Sequence, residues 1–183
     1  MPSRFPGSEK ARLKDERRRA VQPAEELIDH MSPGPDEVCV DIGSGIGYIA
    51  IPLSRKVSKV IAVDIQREML EAMVEAVGRR DNIEPLMADA SHLPLADASV
   101  DRVILINVLH ELEDPEGAIG SIARVLKAGG RVSLVDFPRR PTSIGPPVGE
   151  RIDIDDAIAM FRHFHPLGRW ELSEYYQVEM ERH

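Results

Sequence analysis

Residues 38–48 read VCVDIGSGIGY, an apolar run closed by Asp41 and followed by glycine at positions 43, 45 and 47. An apolar run that gives way to glycines is a strand entering a turn from which side chains are excluded. Glycine alone reaches positive φ at no steric cost and lets another group approach the backbone. Outward from this turn the same rhythm repeats. KVIAVD at 59–64, DRVILI at 101–106 and RVSLVD at 131–136 are largely apolar runs, a further strand is expected at 83–87, and helices are expected at about 46–55, 67–77 and 115–127 between them. Strands that are apolar throughout, instead of alternating, belong to a parallel sheet covered on both faces. Five strands joined by helical crossovers predict an α/β fold: a doubly wound, mostly parallel, Rossmann-like sheet with helices on both faces.

The ends depart from that rhythm. Residues 8–31 read as one or two helices interrupted near Pro23, and SPGPDE at 32–37 is a turn signal. After 137 a proline- and glycine-rich connection, PRRPTSIGPPVGE, leads to a helix in DIDDAIAMFRHF and to RWELSEYYQVEM, which reads as a terminal antiparallel hairpin. Pro52 predicts that the helix after the glycines is short or kinked. A length of 183 residues with 43% hydrophobic content suits one domain. Its expected parts are an N-terminal helical lid segment (1–35), a ligand-binding core (36–137) and a substrate-side cap with the hairpin (138–183).

A formal net charge of −8 argues against a general polyanion binder, so nucleic acid is not the expected partner. Cys39, the single cysteine, has no partner for a disulfide or a cysteine-rich metal site and is expected to be a buried thiol. The N-terminus lacks the apolar core of a signal peptide and no run is long enough to cross a membrane, which predicts a cytoplasmic protein.

In a doubly wound sheet, ligands dock beyond the C-terminal ends of the strands, where the glycine turn lies. Asp64, closing the second strand 17 residues after Gly47, is placed to accept hydrogen bonds from both hydroxyls of a ribose, although an aspartate there could also cap the next helix. Loop and acid together point to an adenosine-containing ligand. A dinucleotide fingerprint beginning at Gly43 would demand glycine or alanine at position 48, and Tyr48 stands there. Asp41 would repel a pyrophosphate but favour a cationic amino group.

At these residues the chain resembles the class I S-adenosylmethionine-dependent methyltransferases, particularly the small ones grouped with ubiquinone/menaquinone biosynthesis methyltransferases. The resemblance covers roughly residues 36–137. VCVDIGSGIG is similar to the family's first motif, which implies that Asp41, Gly43, Ser44 and Gly45 surround the methionine part of S-adenosylmethionine. VIAVDIQREML resembles the second, with Asp64 on the ribose and Ile65 against the adenine. MADASHLPLADASVDRVI resembles the adenine-binding segment, which implies contacts from Asp89 and the backbone of Ala90, and INVLHEL places Asn107 along the cofactor. The implied reaction is in-line methyl transfer to a small-molecule acceptor, with S-adenosylhomocysteine as product.

Few residues suggest catalysis directly. His110 follows the fourth strand, beside the expected methyl group, and is the candidate base, with a loop or wall histidine as the plainer reading. Glu111, Glu113 and Asp114 read as a solvated turn and helix start, and His163 with His165 does not amount to a metal site. Tyr175 and Tyr176 alternate as in a strand, so one is expected in the core and the other toward the pocket. Among Arg17, Arg18 and Arg19, a contact to an anionic substrate group competes with a solvated helical face. The other readings left open are a cofactor-binding regulatory protein without turnover, a methyltransferase acting on a macromolecule, and a nicotinamide-dependent oxidoreductase.

Overall fold

A computed structural model describes residues 16–78 and 81–183. Seven strands form one sheet: β1 (Val38–Ile42), β2 (Lys59–Asp64), β3 (Ile83–Met87), β4 (Val100–Ile106), β5 (Leu126–Asp136), β6 (Phe164–Glu171) and β7 (Tyr176–Arg182). Their spatial order is β3-β2-β1-β4-β5-β7-β6. Strands β1 to β5 pair in parallel, and β7 inserts antiparallel between β5 and β6. The five crossover strands and the terminal hairpin appear in the predicted order, but β5 begins at Leu126, five residues before Arg131, and the hairpin begins at Phe164, five residues before Arg169.

The helices are α1 (Glu16–Val21), α2 (Ala24–Met31), α3 (Ala50–Leu53), α4 (Arg67–Val77), α5 (Pro115–Val125) and α6 (Ile154–Met160). The first eight residues of the segment expected to be helical from residue 8 lie outside the described residues. Pro23 separates α1 from α2. α3 has four residues where about ten were expected. Residues 43–49 are consumed by the glycine turn, and Pro52 has no N–H to extend the ladder. α5 begins where its chemistry dictates, with the Asp114 carboxylate accepting the Gly117 N–H at 2.9 Å and Pro115 in the first turn.

The continuous apolar strands are explained by two cores. Val103 and Leu105 of β4 pack with Ile119, Ile122 and Val125 of α5 and with Ile154 and Ala157 of α6. Ile104 and Ile106 join Leu27, Ile28 and Met31 of α2, Leu53 of α3 and Met73 of α4 on the other face. Successive side chains of one strand thus feed opposite cores. Cys39 is buried in the second core, and burial pushes its thiol pKa up. Both Tyr175 and Tyr176 are buried, which corrects the expectation that one faces the pocket. β7 is an inner strand covered on both faces, and the Tyr176 hydroxyl donates to the Ile152 carbonyl at 2.9 Å.

A buried ionic knot centres on Arg102, in the early half of β4. Arg102, wholly buried in β4, donates to Glu37 at 2.9 Å, to Glu179 of β7 at 2.7 Å and to Ser133 of β5 at 3.0 Å. It ties the parallel strands to the antiparallel addition at the end of the sheet remote from the glycine turn.

Candidate functional site

Where β1 and β4 send their connections to opposite faces, a crevice opens beyond the strand ends. It is a cavity of about 920 Å³ walled by the glycine turn, the ends of β2 and β4, the Ala88–His92 loop, α1 and the 143–147 segment. Every residue named for the site from sequence lies in its wall: Asp41, Gly43, Ser44, Gly45, Asp64, Ile65, Asp89, Ala90, Asn107 and His110.

The glycines are excluded from carrying side chains largely by the protein itself. Gly43 holds φ +67°, and a Cβ there would meet Val108 Cγ2 at 2.4 Å; Gly47 holds φ +89°, and its Cβ would meet Met73 at 2.7 Å. Gly45 turns its N–H to the Asp64 carboxylate at 2.9 Å, and the other oxygen of Asp64 accepts the Gln66 N–H at 2.8 Å. The acid on β2 is therefore locked in place before any ligand arrives. Burial raises its pKa, against the pull of these backbone donors.

Asp41 is 3% exposed, and one of its carboxylate oxygens, Oδ2, has no partner. Burial pushes its pKa up to about 7, against the pull of the Arg18 guanidinium and the Ala50 N–H. Arg18, from α1, lies over the Tyr48 ring with its guanidinium carbon 4.4 Å from the centroid, and its buried Nε is also unpartnered. It is the one lysine or arginine in the cavity wall among the described residues. Ser44 Oγ adds a third buried, unpartnered polar atom. Buried polar atoms normally find partners, so three at one end of one cavity mark the place of a polar ligand.

The rim near Asp64 is of another kind. Ile65 is 42% exposed, an apolar side chain standing free beside a carboxylate, opposite the Asp89–Ala90 segment. Asp89 uses one oxygen to accept the Ser91 N–H at 2.8 Å and caps a single 3-10 turn at Ala90–His92. Asn107, at φ +57°, lines the cavity with its amide paired to that of Gln22.

At the outer end His110 is almost buried, with Nδ1 2.7 Å from Asp136 Oδ1 and Nε2 3.8 Å from Glu111 Oε1. Burial pulls the imidazole down, but Asp136, with Glu111 and Glu150, outweighs it and the pKa lies above the ordinary histidine value. Glu111 lines the cavity and is not the solvated turn residue expected; burial pushes its pKa up to about 7. Asp114 does serve as the helix start, and both Glu113 and Asp114 border the cavity. Phe137, Ile144, Pro146, Pro147 and Glu150 complete this end. Arg19 is exposed, and the side chain of Arg17 lies outside the described residues. Among the described residues no group of three or more potential ligands could hold a metal ion, and no helix is long and apolar enough to cross a membrane.

Asp136, Gln22 and Glu150 are the site residues that sequence reasoning passed over. Asp136 carried a signal: Val63-Asp64 and Val135-Asp136 close β2 and β5 with the same dipeptide, and Val40-Asp41 stands one residue before the end of β1, all at the C-terminal edge of the sheet. Nothing in its sequence context distinguishes Gln22.

The polar end with unpartnered atoms on an acid and a guanidinium, the locked carboxylate of Asp64 and the adjacent apolar rim fit S-adenosylmethionine. Comparisons with known proteins agree. A family model described as a methyltransferase domain matches residues 40–134, more than half of the chain. The methyltransferase GfsG of Streptomyces halstedii is 32% identical over 122 residues, covering 64% of this chain and 44% of that protein. The ubiquinone/menaquinone biosynthesis C-methyltransferase UbiE of Acidiphilium cryptum is 32% identical over 130 residues, covering 69% of this chain and 52% of that one. The chain thus spans about half the length of these curated relatives. A crystal structure of a SAM-dependent methyltransferase from Aquifex aeolicus superposes with a TM-score of 0.90 at 23% identity, over 98% of this chain and all of that one, and shares the fold. The chain belongs to the class I S-adenosylmethionine-dependent methyltransferases.

Proposed function

We propose that the protein transfers a methyl group from S-adenosylmethionine to an uncharged small-molecule acceptor. The observation that carries this reading is the pair of unpartnered buried atoms, Asp41 Oδ2 and Arg18 Nε, on two groups of opposite charge at one end of the cavity. An α-amino acid brings an ammonium and a carboxylate together, so the pair suits the methionine end of the cofactor, with Asp41 on the ammonium and Arg18 on the carboxylate. In this reading Asp64 holds the ribose hydroxyls, Ile65 covers the adenine, Asp89 and Ala90 meet the adenine edge, and Gly43, Ser44, Gly45 and Asn107 line the remainder. α1, carrying Arg18, acts as the lid.

When bound, the cofactor supplies an activated methyl carbon on a sulfonium, leaving as S-adenosylhomocysteine. The chain's own task is to exclude water and align the acceptor, and alignment of this kind can supply roughly 7–11 kcal/mol. In this reading His110 takes a proton from the acceptor, supported by its position in the cavity wall. The outer wall sets the acceptor's charge: Glu111, Glu113, Asp114 and Glu150 stand there, with no lysine or arginine among the described residues except Arg18 behind them. An anionic acceptor would meet like charge in a partly desolvated site. The name of the relative that methylates in ubiquinone and menaquinone biosynthesis supports a small acceptor, and hydroxyaromatic compounds fit the Phe137 and proline wall.

Release of S-adenosylhomocysteine, followed with matched panels of phenols, hydroquinones and benzoates, tests the reading. Turnover of uncharged hydroxyaromatics over their carboxylate counterparts is expected. Preference for the carboxylates would overturn the assigned acceptor class.

A further inference from the structure

His110 makes its shortest contact on the side away from the cavity. Asp136 closes β5, is wholly buried and is absent from the cavity wall, yet its Oδ1 lies 2.7 Å from His110 Nδ1 and also accepts the Phe137 N–H at 2.8 Å. A carboxylate at this distance requires a proton on Nδ1, so the neutral ring carries its lone pair on Nε2. Nε2 is the atom left for the cavity, 3.8 Å from Glu111 Oε1. The Phe137 ring meets the imidazole edge-on at 6.4 Å and walls the same end.

We propose that Asp136 is the positioning residue for catalysis, holding His110 in the Nδ1–H tautomer so that Nε2 removes a proton from an acceptor hydroxyl. The proposal rests on the methyl-transfer reading and narrows the acceptor atom to an oxygen that arrives protonated. As the bond from that oxygen to the methyl carbon forms, the methyl–sulfur bond breaks with its electron pair staying on sulfur, and the hydroxyl proton passes to His110 Nε2.

The unpartnered Oδ2 of Asp136 supports a role beyond structure. A buried carboxylate with an oxygen left over is poorly stabilised while its histidine is neutral. It becomes better matched once the ring is an imidazolium, which is the state proton transfer creates. A hydroxyl acceptor needs such a base, because at neutral pH it does not ionise by itself, whereas a base adds ~10²–10⁴-fold only where a proton must leave. The groups facing the pair are Glu111 and Glu150 toward His110, Arg18 toward Glu111, and Arg151 and Tyr176 toward Asp136. The acids on the His110 side all favour the imidazolium that the step produces.

Nitrogen NMR of the His110 ring in the full chain with S-adenosylhomocysteine added tests the assignment. The wild-type neutral ring should show a protonated Nδ1 and a pyridine-type Nε2, and its titration midpoint should fall in Asp136→Asn and stay near wild type in Asp136→Glu. An Nε2–H tautomer in the wild type, or an unchanged midpoint in a folded Asp136→Asn, would overturn the proposal. The Nε2–H tautomer in the wild type would overturn the proposal even if the variants do not fold. Calorimetry of S-adenosylhomocysteine on the same samples reports separately on the cofactor reading, so failure of one is not mistaken for failure of the other.

Discussion

Gln22 and Asn107 face each other amide to amide: Gln22 Nε2 donates to Asn107 Oδ1 at 3.1 Å and Asn107 Nδ2 donates to Gln22 Oε1 at 2.8 Å. Gln22 sits between α1 and α2, and its carbonyl also accepts the Tyr48 hydroxyl at 2.6 Å. Asn107 follows β4 in the left-handed region, where asparagine is tolerated better than most residues. The pair thus fastens the helix that carries Arg18 to the floor of the cavity. Tyr48, which breaks the dinucleotide pattern in the sequence, is part of the same fastening.

Asn107→Ala should destabilise the fold by roughly 1–3 kcal/mol, because it leaves the wholly buried Gln22 amide without its partner and puts alanine at positive φ. Asn107→Gly removes the hydrogen bonds but tolerates the backbone, so it should lose less. Denaturant unfolding of both variants distinguishes the two contributions.

Arg18→Met should weaken S-adenosylmethionine binding while sparing the decarboxylated cofactor, whose methionine end offers no carboxylate to a guanidinium. Wild type should prefer the carboxylated ligand by about tenfold or more, as expected for a charge-assisted pair of ~1.5–3 kcal/mol. Equal loss for both ligands would assign Arg18 to packing on Tyr48 instead.

Binding of the cofactor should release protons. In the free protein Asp41 has a pKa of about 7, so it is largely protonated below that pH. An ammonium beside it favours the carboxylate and lowers the pKa, so proton release should be largest below about pH 7 and vanish well above it. Calorimetry in buffers of different ionisation enthalpy measures the release. Asp41→Asn should remove this component, leaving whatever Glu111 contributes.

Arg102→Leu should cost roughly 3–5 kcal/mol, since it leaves Glu179 buried and Glu37 half-buried without their cation. Adding Glu179→Leu should restore part of the loss, because an apolar pair removes the uncompensated charge. Cofactor affinity should stay within about twofold of wild type in both variants, the knot being at the far end of the sheet.

Strands and the cavity wall around the glycine turn were legible in the sequence because each reports a local rule. KVIAVD at β2 is apolar throughout since its neighbours feed two cores, and the glycine turn is punctuated by backbone requirements at Gly43 and Gly47. The glycines first suggested close approach by a ligand, yet Val108 and Met73 occupy the space in which two of the side chains would stand. The contacts behind the cavity wall were less legible because they are assembled over long range. Asp136 meets His110 across 26 residues and Gln22 meets Asn107 across 85, so neither partner marks the other in the chain. Glu111 reads as a solvated turn residue by composition, and only the 3-10 turn at Leu109–Glu111 carries it into the cavity wall.

The central claim is that Asp41, Arg18 and Asp64 define a site for S-adenosylmethionine and not for a dinucleotide. Calorimetry of the purified chain with S-adenosylmethionine, S-adenosylhomocysteine and NAD tests it most directly. Binding of both sulfur compounds with no heat from NAD is predicted; binding of NAD alone would contradict it.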